Sequence, residues 1–157
     1  MIEVTAVALA AHPFLHGMSH GHLAVLADAA SDVTFPAKHR LFEDDHGATR
    51  FWLIQSGHVT LDLHVPGRGR MNIESIGMGE LLGWSWLFPP YRWAFGATAV
   101  TAVEAFEFDA PDVRECCSAD PELGYELNQR VARVLAKRLQ ATRIRLIARS
   151  GYSAAVH

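Results

Sequence analysis

The chain reads as a mainly β protein with flanking helices. The expected core is an antiparallel β jelly roll, with short N-terminal helices before it and a long C-terminal helix after it. Three observations predict this. From residue 31 to residue 108 the apolar residues come in short runs (DVTFP, HRLFE, RFWLIQSG, HVTLDLHVP, RMNIESIG, ATAVTAVEAFEFDA), most of them bounded by Gly, Pro or acidic residues. On either side of this stretch the apolar spacing becomes helical. After Gly124, no glycine or proline interrupts the last helical stretch until Gly151.

Taken in order, residues 6 to 16 and 19 to 30 read as two short helices. Ser19 is the expected N-cap, and Leu23, Leu26 and Ala30 recur at helical spacing. In HVTLDLHV, Val59, Leu61, Leu63 and Val65 fall on one face of a strand, with Thr60, Asp62 and His64 on the other. PGRGR is a hairpin turn. APDVRECCSAD is a short helix capped by Asp109, with Pro111 in its first turn. Asp120 caps the long helix, Pro121 occupies its first position, and Glu122 favours its positive end. The expected organisation is one domain over residues 1–157: helices to 30, β roll over 31–108, helices over 109–149, and a tail over 150–157.

The long helix carries an apolar stripe of Leu127, Val131, Val134, Leu135, Leu139, Thr142 and Leu146. About 25 helical residues extend roughly 38 Å. A roll of this size cannot cover that length, so the stripe is expected to meet its own copy in a homodimer through residues 121–149. The alternative is a helix lying back on its own sheet.

Composition narrows the function classes. Half of the 157 residues are hydrophobic and a fifth are charged, as in an ordinary globular protein, and the net charge of −3 gives no general footprint for nucleic acid. No run of apolar residues is long enough for a membrane span, and the N-terminus lacks a positively charged leader. Cys116 and Cys117 are adjacent and imply no disulfide framework, so a cytoplasmic setting is expected. Their acidic neighbours Glu115 and Asp120 argue against a reactive thiol. His12, His16, His20 and His22 cluster near the N-terminus, but no Cys or Glu completes a ligand set. Capping or solvated histidines are expected, and no metal. No nucleophile set or P-loop is present, so no enzyme is expected.

The stretch GMGELLGWSWLFPPYRWAFGATA raises the question of a ligand site. Together with RFWLIQSGHVTL, in which Gly57 makes a turn, TAVEAFEFDA and LAKRLQATR, it resembles the cyclic-nucleotide-binding domain of the cAMP receptor protein/FNR family of bacterial regulators. The likeness runs from residue 8 to about residue 148. It implies a cyclic-nucleotide-binding-like jelly roll and places the start of the family's phosphate-binding cassette at MGELLG. In that family an acid bonds the ribose hydroxyl and an arginine pairs with the cyclic phosphate. The resemblance puts Glu80 in the acid's place and Gly79 where the backbone comes close to the ligand. Leu81 and Leu82 would begin a short helix whose free N–H groups suit a phosphate.

The arginine departs from the family pattern. Counting back from TAVEAFEF, its position falls on Trp93, with Ala94 next, and Arg92 arrives one residue early. One step along a strand reverses the facing of a side chain. The interval between Glu80 and this point is also longer than is usual in the family. Either this longer loop turns Arg92 inward onto an anion, or Trp93 fills the pocket and Arg92 is a surface charge. The candidate ligand residues are therefore Gly79, Glu80, Leu81, Leu82, Arg92, Trp93 and Ala94, and the ligand stays open between a cyclic nucleotide, another molecule and none.

Regulators of this family read DNA with a helix-turn-helix after the long helix, whereas only SGYSAAVH follows here. No direct DNA binding is expected, and a partner protein would read the signal. The arginines of the long helix then form a solvated face. The expected function is a small regulatory or sensor module, or alternatively an accessory subunit with a degenerate pocket.

Overall fold

The computed structural model describes residues 2 to 150; most of the expected tail lies outside them. The described strands form two antiparallel sheets. β1 (Ile2–Glu3), β2 (Ala30–Phe35), β9 (Val103–Asp109), β4 (Arg50–Ser56) and β7 (Leu81–Leu82) are neighbours in one. β3 (Arg40–Phe42), β8 (Gly96–Ala99), β5 (Val59–Val65) and β6 (Gly69–Ile76) are neighbours in the other. The core lies between the sheets and under the helices.

The N-terminal stretch differs from expectation in two ways. Residues 2 and 3 form a strand paired with Ser31 and Asp32. The first expected helix divides into α1 (Ala6–Ala10) and a 3-10 turn at Pro13–Leu15, because the His12 side chain caps the turn by accepting from the Phe14 N–H. Ser19 caps α2 (His20–Asp28) as expected. Gly57 turns between β4 and β5 with φ +91°, and a Cβ there would strike the Ala102 carbonyl.

Within β5, Val59 and Leu61 are buried as the alternation predicts. Leu63 is partly exposed, and β6 bulges at Ile73, where Leu61 pairs with Glu74 and Asp62 with Asn72. Asp62 faces away from the core yet is buried, because the Arg40 guanidinium grips both carboxylate oxygens. Arg40 also donates to Thr98 and Glu43, and its bonds to Asp62, first, and Glu43 raise its pKa.

Asp109 caps α3 (Ala110–Ala119) through the Asp112 N–H, and Asp120 caps α4 (Pro121–Arg149) through the N–H groups of Glu122 and Leu123. Gly124 lets the two helices approach closely; an added Cβ would lie 3.2 Å from the Cys117 carbonyl. Cys116 and Cys117 are both free, and burial, first, and nearby acids push both thiols up. The apolar stripe of α4 divides in two. Leu127 and Val131 are buried against the body, whereas Leu139 (52% exposed) and Leu146 (68%) are largely open to solvent.

Candidate functional site

The Gly79–Glu80 turn does not open a helix. The Gly79 N–H donates to Ile54 O (2.9 Å), the Glu80 N–H to Gly77 O (3.1 Å), and the Ile54 N–H to Glu80 O (3.0 Å). Leu81 and Leu82 are both buried in β7, opposite Leu53 and Trp52. This corrects the expectation that they begin a short helix with free N–H groups. The cause is the edge of β4, which takes up the backbone bonds of the segment. The Glu80 carboxylate accepts from the Gly77 N–H at 2.6 Å and so closes its own turn. Gly79 has φ +82° and lies against Pro13.

The short helical turn comes four residues later, at Ser85–Leu87, after Gly83 (φ +99°) and Trp84. The residue just ahead of the turn is therefore a half-buried tryptophan rather than an acid. Trp86 fixes this segment to the body. It stacks on Phe51 (centroids 4.1 Å apart) and donates to Gly83 O, and its carbonyl accepts from Arg114. Arg114 also lies over the Tyr91 ring.

Residues 91–93 pair with the loop at 45–48. The Asp45 N–H donates to Trp93 O (2.8 Å), the Trp93 N–H to His46 O (2.8 Å), and the Ala48 N–H to Tyr91 O (2.7 Å). This ladder sets the facing. Trp93 points between the sheets and stacks on Phe42 at 3.8 Å, with Trp52 at 6.0 Å. Arg92 points outward, donates to Asp45 Oδ1 at 2.9 Å and to the Asp45 carbonyl, and stays half exposed. Ala94 is exposed. Gly83 is required beneath the tryptophan, since an added Cβ would meet its ring at 2.9 Å.

The predicted residues thus separate into two places. Glu80 and Gly79 lie on the outside beside α4. Trp93 is packed inward on Phe42 and Trp52, and Arg92 is spent on Asp45. Among the described residues no group of His, Cys, Asp and Glu could hold a metal ion. No described helix is long and apolar enough to cross a membrane.

Sequence reasoning assigned the α4 cations to solvent, and two of them are not there. Arg130 donates to the carbonyls of Phe14 and His16, and Arg138 to the Leu81 carbonyl while pairing with Glu74 at 3.3 Å. Burial lowers the pKa of Arg138, against the opposing pull of Glu74 and Glu80. The available signal was position. Both arginines fall on the side of α4 that carries Leu127 and Val131, where only a partnered cation is tolerated.

Comparison with known proteins agrees with this architecture. The family model for the cyclic nucleotide-binding domain matches residues 32–120. A CRP-like cAMP-activated global transcriptional regulator of Mycobacterium tuberculosis is 30% identical over 135 residues, which are 85% of this chain and 58% of the relative. The chain therefore spans somewhat over half the length of that relative. A candidate cyclic nucleotide-binding protein from Geobacter metallireducens superposes with a TM-score of 0.79 at 24% identity, covering 88% of this chain and 99% of the other. The N-terminal domain of a transcriptional regulator from Streptomyces coelicolor gives 0.66 at 26% identity, over 85% and 93%. The catabolite activator protein of Thermus thermophilus gives 0.68 at 22% identity, over 88% and 63%. The two-sheet roll, its long C-terminal helix and the family match lead to one conclusion: the chain belongs to the cyclic nucleotide-binding domain family.

Proposed function

We propose that the domain is a non-enzymatic, cytoplasmic regulatory module whose cassette has departed from phosphate binding. It signals to a partner protein through a homodimer formed by residues 121–149. The observation that carries this reading is the opposed facing of Arg92 and Trp93. A cassette arginine has to reach into the roll. Here an indole occupies that direction, and the guanidinium is committed to Asp45. The N–H groups of Gly79 and Glu80, which would otherwise cradle a phosphate, are spent on Ile54 and Gly77. The exposed leucines of distal α4 support the dimer, because an apolar stripe on a projecting helix is most simply covered by its own copy.

A ligand-free interaction subunit is the second reading, and the inward stack of Trp93 on Phe42, with Trp52 beside them, favours it. Calorimetric titration with cAMP and cGMP, with Glu80→Ala and Arg92→Ala beside the parent chain, tests the departed cassette. The expected result is no heat at millimolar nucleotide. Binding that either substitution abolishes would sink the proposal.

A further inference from the structure

A cleft of about 370 Å³ lies outside the roll, between α4, the Pro13–Leu15 turn and the Gly79–Glu80 turn. Four cations line it: Arg130, Arg133, Lys137 and Arg138. The carboxylate that lines it, Glu80, is bonded to the Gly77 N–H. Arg133 and Lys137 are exposed and make no hydrogen bond or ion pair with the described chain. Arg130 and Arg138 are largely buried and are held by backbone carbonyls and by Glu126 and Glu74 respectively. Even so, Arg130 Nε and Arg138 Nη1 are buried without a hydrogen-bond partner. These two nitrogens are covered by the protein, so the groups a cleft ligand can reach are the exposed side chains of Arg133 and Lys137 and the outer edges of the two held guanidiniums.

We infer that this cleft binds a small phosphomonoester. Two free cations at the rim, Arg133 and Lys137, beside the fixed positive charge of Arg130 and Arg138, suit an anion with several oxygens. Phe14, Pro13 and Val134 supply an apolar wall for the organic part of the ligand, and the volume is that of a small-molecule site. At 3.6 residues per turn, Arg133 and Lys137 lie roughly opposite Leu139 and Leu146 on α4, so the ligand and a second copy of the chain use different faces. A bound phosphate ties α4 to both turns and stabilises the helix against the roll. The site involves neither Trp93 nor Arg92 and does not depend on what the interior accepts.

Calorimetry of the full chain with adenosine 5′-monophosphate, inorganic pyrophosphate and phosphate-free adenosine tests the inference. Arg133→Glu with Lys137→Glu is the site variant; both side chains are exposed, and circular dichroism checks that the fold is retained. The two phosphates are expected to bind and to raise the melting temperature, whereas adenosine does neither. The double variant should weaken phosphate binding by about tenfold or more. The inference is overturned by no heat from adenosine 5′-monophosphate, by equal binding by the double variant, or by binding of duplex DNA or heparin alone. Nucleotide binding that is lost in Trp93→Ala but kept in the double variant places the ligand in the roll and overturns it equally.

Discussion

Arg92 donates through Nε to Asp45 Oδ1 at 2.9 Å, while the next residue, Trp93, stacks on Phe42 between the sheets. The two side chains leave the same short ladder in opposite directions, and the Asp45, His46 and Trp93 backbone bonds hold that arrangement. The facing is thus a property of backbone pairing, and no local rotamer change exchanges the two residues.

Arg92 is half exposed and Asp45 more so, and water competes for such a pair. Arg92→Ala and Asp45→Ala should each change stability by no more than about 0.5 kcal/mol. Urea denaturation reads this. A loss several times larger would mean that the ion pair, rather than the backbone ladder, holds Trp93 in place.

Trp93 is a buried aromatic with two aromatic neighbours. Trp93→Ala should cost about 3–5 kcal/mol through lost burial and the cavity left behind. Gly83→Ala should destabilise as well, since it adds a Cβ at positive φ against the Trp93 ring. Tryptophan fluorescence should report the displacement of the indole. A Gly83→Ala protein with unchanged emission and stability would contradict the packing described.

Leu139→Glu with Leu146→Glu places charges on the exposed stripe of α4. The expected outcome is a shift from dimer to monomer in sedimentation, with the β-sheet circular dichroism retained. A parent chain that sediments as a monomer at all concentrations would remove the basis for dimeric signalling.

His12 is buried in its neutral form. Its Nδ1 accepts from the Phe14 N–H at 3.2 Å, which leaves Nε2–H to donate to Ile54 O at 2.9 Å. Burial lowers its pKa, with the Ile54 bond opposing in part. A depressed pKa means that the unfolded chain binds the proton more readily. The stability contributed by neutral His12 is complete above the ordinary value of 6.5 and is lost as pH falls from there through the folded pKa. The melting temperature should therefore fall from about pH 7.5 to about pH 5.5, and His12→Asn should flatten that slope. An equal slope in the variant would assign the titration to another group.

The sequence by itself determined the order of the main elements and the starts of α2, α3 and α4. Ser19, Asp109 and Asp120 cap the helices as their residue types require, and Gly57 turns where only glycine fits. The length of α4 against the size of the roll determined that its distal leucines would be left uncovered. These are local properties, or differ from local ones only by a count of residues.

Tertiary structure decided the site. Whether Gly79–Glu80 opens a helix depended on the β4 edge beside it, because backbone N–H groups go to the nearest unpaired carbonyls. Whether Arg92 or Trp93 turned inward depended on pairing with residues 45–48, more than forty positions away. Whether Arg130 and Arg138 were solvated depended on the turns that α4 packs against. In each case a side chain's role was set by partners distant in sequence, and residue type and spacing do not record those partners.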